Sequence, residues 1–462
     1  MVKIISPVDG STVAERPSAT HAEIDAALLN ARCAQRQWRN TSLNERARLC
    51  SAVVDVMLSM ADEIVPELAW QMGRPIRYGR GELGGFEARA RHMIEIAPAA
   101  LADHVPSPLD GFRRFIRREP LGTVFVIAPW NYPFLTAVNS VIPALMAGNA
   151  VVLKHAAQTL LVGERFQAAC DKACLPSGLF RNLVLDHDQT AQIIKSGKVQ
   201  QVNFTGSVAA GREIEKAGAG MFIGIGLELG GKDPAYVRAD ANLEFAIENI
   251  ADGAFFNSGQ SCCGVERVYV HRRHFDRVVS GLADAASKYI LGNPLDLATT
   301  LGPMVRGSAA DLVRKQMSEA LKLGARRVVP THAFPQDRLG SAYLAPEVLV
   351  NVNHDMAIMR EESFGPVVGV MAVDSDDEAI KLMNDSPFGL SASIWTQDAE
   401  AAQRIGEELE TGTVFMNRCD YLDPALAWTG VKNTGRGITL SQLGYSTLTR
   451  AKSFHLREAI GD

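Results

Sequence analysis

Apolar residues recur at helical spacing over positions 22–38 and again over 43–73, which predicts amphipathic helices lying on a sheet. Beyond Pro120-Leu121-Gly122 the pattern changes. Short runs of β-branched and other apolar residues at 123–128, 150–154, 180–185 and 201–204 are separated by helical patterns over about 136–147 and 160–173. Strands alternating with helices imply crossover units and a parallel sheet buried on both faces, in a doubly wound, Rossmann-like arrangement. The second half repeats the theme, with a helix over 243–256 and strands at 267–271, 326–329, 347–352, 367–372, 391–395 and 413–416. The expected fold class is therefore α/β with two such units. Two segments fit neither: 112–118 alternates large apolar and charged residues, and 446–456 mixes them similarly. Neither can bury its faces alone.

A chain of 462 residues exceeds one ordinary core, in keeping with two lobes. The net charge of −5 comes without a basic stripe, which argues against nucleic acid as a partner. Arg113-Arg114 and Arg117-Arg118 read as strand or interface charges. No apolar run is long enough to span a bilayer, because 121–143 is interrupted by Pro129, Asn131 and Pro133. Met1 to Pro7 lacks the charged leader and apolar core of a secretion signal. Seven cysteines, with no C-x-x-C and no Cys/His metal spacing, suggest a reduced cytoplasmic protein and no metal site.

Three stretches carry chemistry. In Phe255-Phe256-Asn257-Ser258-Gly259-Gln260-Ser261-Cys262-Cys263 an apolar helical run ends in Gly-Gln and presents a thiol. A thiol attacks only as thiolate and needs a base or cation nearby. Glu228, in Gly226-Leu227-Glu228-Leu229-Gly230-Gly231-Lys232, is a lone carboxylate expected at a strand end, where burial would raise its pKa toward that of a general base. Asn131, in Ala128-Pro129-Trp130-Asn131-Tyr132-Pro133, is held between two prolines and can donate a side-chain N–H to a developing oxyanion. Thiol, carboxylate and amide together describe acyl-type chemistry at a carbonyl.

These stretches, with Phe204-Thr205-Gly206-Ser207 and Glu361-Glu362-Ser363-Phe364-Gly365-Pro366, resemble five blocks of the aldehyde dehydrogenase superfamily, in its order and across nearly the whole chain. The resemblance implies that Cys262 attacks an aldehyde, Asn131 and the Cys262 N–H hold the oxyanion, and Glu228 activates the water that hydrolyses the thioester. It further implies NAD or NADP as cofactor, with Lys154 at the adenosine ribose, Gly206 and Ser207 at the pyrophosphate, and Trp130, Glu362 and Phe364 toward the nicotinamide. The G-x-G-x-x-G fingerprint is absent, as in that family. The implied organisation is a dinucleotide-binding domain at 1–111 and 123–230, a catalytic domain at 231–433, and a small β oligomerisation element at 112–122 and 434–462 that makes a homodimer or homotetramer.

Many NAD-preferring relatives carry glutamate three residues after the lysine matched by Lys154; here the position is Ala157, so NADP should be tolerated, with His155 adding positive character. The substrate tunnel is expected to include Tyr132, Leu135, Asn139, Phe256, Ser261, Cys263, Arg418 and Trp428, with Cys419 near its mouth. Asn139 stands where relatives acting on succinate semialdehyde have arginine, and Phe256 where they can have a second. A neutral, medium-sized aldehyde, hydroxylated or aromatic, is therefore expected. Arg418 either anchors a polar tail or staples its own loop to Asp420 or Asp423. The block 429–438 departs from the family form, which continues with glutamate after its last Gly-Arg pair. Three other readings compete with this one. A coenzyme A-acylating relative would generally lack Glu228, a non-enzymatic binding protein would not need all three groups, and a cysteine hydrolase would need a histidine such as His271 or His274 beside the thiol.

Overall fold

The computed structural model describes residues 1–458. Its first sheet has six strands in the order Gly435–Arg436, Gly224–Glu228, Gln201–Thr205, Thr123–Ala128, Ala150–His155 and Phe180–Asn182. All are parallel except Gly435–Arg436, which runs antiparallel on the edge with Gly435 opposite Glu228. The chain moves outward from Thr123–Ala128 to one side and then returns to build the other. The strand order therefore reverses between Thr123–Ala128 and Gln201–Thr205, the crevice where such sheets bind ligands. Residues 180–185 were expected to form one strand, but pairing ends at Asn182.

The second sheet has seven strands in the order Arg326–Arg327, Glu347–Val350, Val367–Val373, Val265–His271, Asp233–Val237, Ser391–Trp395 and Thr413–Met416. Only the two-residue edge strand Arg326–Arg327 is antiparallel, and it is shorter than the expected run of 326–329. The central strands are buried along almost their whole length, which is why they read as continuous apolar runs.

The helical pattern over 43–73 is two helices, Leu43–Ser59 and Ala61–Met72, broken at Met60. Both bury the same kind of face, so periodicity does not reveal a one-residue kink. The next helix, Ile76–Ala100, escaped the sequence reading because four glycines and scattered arginines dilute its pattern. Tertiary packing holds it: Leu83, Phe86, Ala90, Met93 and Ala97 are buried, and a Cβ at Gly85 would strike Leu135 of helix Pro133–Met146. Glycine there leaves the Leu135 side chain room between the two helices.

Phe112–Pro120 and Thr449–Arg457 pair antiparallel from Pro120↔Thr449 to Phe112↔Arg457, with Phe115 and Phe454 stacked at 4.5 Å. Most of this ribbon is exposed. Within the expected segment 434–462, Gly435–Arg436 is the edge strand of the first sheet, and helix Ser441–Ser446 packs on helix Ile76–Ala100, where buried Tyr445 donates its hydroxyl to the Met93 carbonyl at 2.5 Å. The last four residues of the expected element lie outside the described residues. Among the described residues, no helix is long and apolar enough to cross a membrane.

Candidate active site

At the crevice of the first sheet, Trp130 and Asn131 follow strand Thr123–Ala128, Gly206 and Ser207 follow Gln201–Thr205, and Glu228 ends its own strand. These side chains and the thiol of Cys262 line one cavity of about 630 Å³.

The thiol loop is strongly constrained. Helix Leu243–Phe255 ends, and Asn257, Ser258 and Gly259 then take left-handed backbone conformations with φ of 52°, 56° and 66°. Non-glycine residues resist such angles, so the surroundings must enforce them. Asn257 Nδ2 donates to the carbonyls of Asn131 and Gln260, each at 3.2 Å. Ser258 Oγ donates to the Gly302 carbonyl at 2.7 Å, and Gln260 Oε1 accepts from the Val305 N–H at 2.7 Å. A Cβ on Gly231 would run into the Cys262 carbonyl, so the loop can pass this close to the end of the Glu228 strand only because residue 231 is glycine.

Asn131 is tied to the same loop. Its Nδ2 donates to the Gln260 carbonyl at 3.2 Å, and its own carbonyl accepts from Arg74 Nη2 at 2.7 Å. Arg74 forms a fully buried ion pair with Glu82. Glu82 in turn accepts from the N–H groups of Phe134 and Leu135 at 3.0 and 3.2 Å, at the start of the next helix. Glu82, on the unpredicted helix Ile76–Ala100, thereby ties the backbone of Asn131 to the following helix through Arg74.

Glu228 is buried among neutral donors. Thr439 Oγ1 donates to one carboxylate oxygen at 2.5 Å and Thr205 Oγ1 to the other at 3.1 Å. Burial pushes its pKa up, against the smaller downward pull of both hydroxyls and of Arg89. Glu362 accepts from the Gly231 N–H at 3.0 Å, and burial lifts its pKa to about 7. It makes no pair with Arg360. Trp130 and Phe364 meet edge-to-face at 5.6 Å in the same wall.

Of the expected tunnel residues, Tyr132, Leu135, Asn139 and Phe256 line the cavity, as do Ser261, Cys263 and Trp428. Arg418 is not in the lining: its guanidinium lies over the Tyr421 ring, 3.4 Å from the centroid, a cation–π contact, and among the described residues it makes no ion pair with Asp420 or Asp423. Cys419 is also absent from the wall, its thiol donating to the Asn249 carbonyl at 3.4 Å. Lys154, next to last in strand Ala150–His155, lies outside this cavity, and burial lowers its pKa. His155 does not supply the expected positive character. It is buried, with Nε2 3.2 Å from the Pro133 carbonyl and Nδ1 3.1 Å from Thr159 Oγ1, and burial drives its pKa down to about 4.

Sequence reasoning missed Thr205, Thr439, Arg89 and Asp420 as members of the site. Asp420 accepts from Ser261 Oγ at 2.6 Å and Cys263 Sγ at 3.1 Å, and burial raises its pKa. Its only sequence signal was the unusual polarity of 417–428. Among the described residues lining the cavity there is no histidine, and His274 is 2.9 Å from the Ala239 carbonyl elsewhere.

A sequence model of the Aldehyde dehydrogenase family matches residues 1–454. An aldehyde dehydrogenase of Paenarthrobacter nicotinovorans is 34% identical, covering 98% of this chain and 99% of that protein. The NAD(P)+ succinate semialdehyde dehydrogenase Sad of Escherichia coli K12 is 33% identical over 95% of this chain and 94% of its own. A crystal structure of succinic semialdehyde dehydrogenase from Streptococcus pyogenes with NADP+ superposes with a TM-score of 0.93 at 25% identity, covering 99% of this chain and 100% of that one. The chain belongs to the aldehyde dehydrogenase family. It is an oxidoreductase that converts an aldehyde to a carboxylate with NAD or NADP as hydride acceptor.

Proposed function

We propose that Cys262, Glu228 and Asn131 carry this oxidation and its hydrolytic second half. The supporting observation is their meeting in one cavity, with the thiol and amide loops locked together through Gln260 and the carboxylate raised by burial. The Cys262 thiolate adds to the aldehyde carbon, and the oxygen takes up the electron pair of the broken π bond. Asn131 has one side-chain N–H committed to the Gln260 carbonyl and a second for this oxyanion, beside the Cys262 N–H. The oxyanion re-forms its carbonyl as hydride leaves the same carbon, giving a thioester on Cys262. Glu228 then takes one proton from water as the water oxygen adds to the thioester; the C–S bond breaks, thiolate and carboxylic acid separate, and the acid releases its proton to solvent to give the carboxylate.

The site fits a dinucleotide. Helix Val208–Gly218 begins at Ser207, with Gly206 and Ser207 in the cavity wall, so its free N–H groups suit a pyrophosphate. Glu362 offers a buried carboxylate for ribose hydroxyls, and Trp130 and Phe364 flank the approach to the thiol. When bound, NAD or NADP supplies the acceptor for the hydride. Lys154 is assigned to the adenosine ribose; Ala157, with no carboxylate to repel a 2′-phosphate, favours use of both forms.

Three wider assignments belong to the same reading. Residues 1–111 and 123–230 bind the dinucleotide and 231–433 carry the catalytic thiol. The exposed ribbon built from 112–122 and the chain end covers a second copy in a homodimer or homotetramer. The cytoplasm is the assigned compartment, supported by seven free cysteines.

The test is absorbance at the reduced-nicotinamide band with a panel of aldehydes, NAD and NADP in separate reactions, for the wild type and Cys262→Ala. Turnover that vanishes in the variant supports the reading; turnover that survives it removes Cys262 from the chemistry. An acyl-coenzyme A product in place of free acid would replace hydrolysis by acyl transfer.

A further inference from the structure

The far wall of the cavity carries a cation that neither the thiol chemistry nor the dinucleotide uses. Arg89, on helix Ile76–Ala100, lines the cavity beside Leu135 and Asn139. Its Nη1 donates to the Leu135 carbonyl at 2.9 Å and to Asn139 Oδ1 at 3.4 Å. Among the described residues it has no carboxylate within ion-pair distance. A guanidinium keeps its charge, and an enclosed charge without a counter-ion is costly.

Asn139 completes the feature. It is buried, and since arginine offers only donors, the Asn139 oxygen must face Arg89. Its Nδ2 makes no described hydrogen bond and remains a donor in the cavity wall. The carboxylates nearby make no ion pair with Arg89 among the described residues. Asp420 is occupied by Ser261 and Cys263, Glu228 by Thr439 and Thr205, and the buried Glu82, the strongest charge partner of Arg89, is already paired with Arg74. Arg89 lines the same chamber as the Cys262 thiol.

We propose that Arg89 and Asn139 together bind an oxyanion, carboxylate or sulfonate, at the far end of a short-chain aldehyde whose carbonyl lies at Cys262. A planar cationic donor beside an amide donor matches two oxygens of one acid group. This revises the neutral tail expected from Asn139: the cation is present, but a different helix delivers it. The proposal rests on the assignment of Cys262 as the nucleophile.

The experiment compares kcat/KM for succinate semialdehyde, sulfoacetaldehyde and butanal in the wild type, Arg89→Gln and Arg89→Lys. The wild type should prefer at least one anionic aldehyde over butanal by tenfold or more, and the better of the two identifies the acid group. Arg89→Gln should lose at least tenfold more on that substrate than on butanal, with the excess loss mainly in KM; Arg89→Lys should recover part of that difference. No anionic preference in the wild type, or equal losses on charged and neutral aldehydes, overturns the proposal. A binding measurement on the wild type alone covers a variant that does not fold. Succinate and 2-sulfoacetate, against butyrate as the control, should include one anion that raises Tm where butyrate does not, and equal shifts count against the site. Absence of turnover with every aldehyde, alongside such a Tm shift, would instead sink the assignment of the chemistry and leave the anion site standing.

Discussion

Thr439 Oγ1 donates to the Glu228 carboxylate at 2.5 Å, joining a residue near the chain end to the buried acid of the crevice. The bond favours the ionised carboxylate and so opposes the upward push of burial. Thr439→Val removes it. The alkaline-rising limb of the kcat–pH profile should move to higher pH by about one unit, the worth of a single hydrogen bond to a charged group. An unmoved limb would mean that Glu228 does not set it.

Glu228→Gln separates the two half-reactions. In the proposed assignment hydride loss needs the thiol, whereas hydrolysis needs the base. Rapid mixing should show one equivalent of reduced dinucleotide per active subunit, followed by steady turnover slower by at least about 100-fold. Steady-state rates equal to wild type would show that water is activated elsewhere.

With Glu362 raised to about 7, the dinucleotide should bind more tightly as the carboxylate ionises. An ionised acid accepts from ribose hydroxyls better than a protonated one. KM for the cofactor should fall as pH rises through about 7, and Glu362→Gln should flatten that dependence. A parallel profile in the variant would detach Glu362 from the ribose.

His155 makes a stability prediction. Its folded pKa of about 4 lies below the unfolded value of 6.5, so the folded chain refuses a proton that the unfolded chain accepts. Its stabilising share is complete above pH 6.5 and shrinks as pH falls toward 4, by about 1.4 kcal/mol per unit. Between pH 7 and 5 the wild type should lose about 2 kcal/mol more than His155→Gln in urea unfolding. Equal losses would show that the imidazole is not buried neutral.

On the exposed ribbon, Phe115 stacks with Phe454. A charge there should repel a covering subunit while leaving both sheets intact. Light scattering of Phe115→Glu should show a smaller assembly than the wild type, and a monomeric wild type would remove the basis for the oligomer.

The parallel strands and the thiol, acid and amide were legible because each depends on local signals: unbroken β-branched runs, glycines at tight approaches, prolines around Asn131. What the sequence concealed was lateral. Nothing local in Arg89 marks it as a neighbour of Asn139, and the helix that carries it is rich in glycine. Thr439 reads as an ordinary residue in an altered motif until strand pairing sets Gly435 against Glu228. Arg418 was hard to place because a polar loop offers an arginine several partners, and its guanidinium lies over the Tyr421 ring.

The edge strand Gly435–Arg436 has a temporal meaning as well as a spatial one. During synthesis the thiol, the amide and the acid all emerge before the strand and hydroxyl that complete the acid's surroundings. A growing chain can fold much of its first sheet and still lack the Thr439 bond to Glu228. The finished surroundings of Glu228 therefore arrive only after the thiol, the amide and the acid have all been made, so the order of synthesis separates Cys262 from the completed acid.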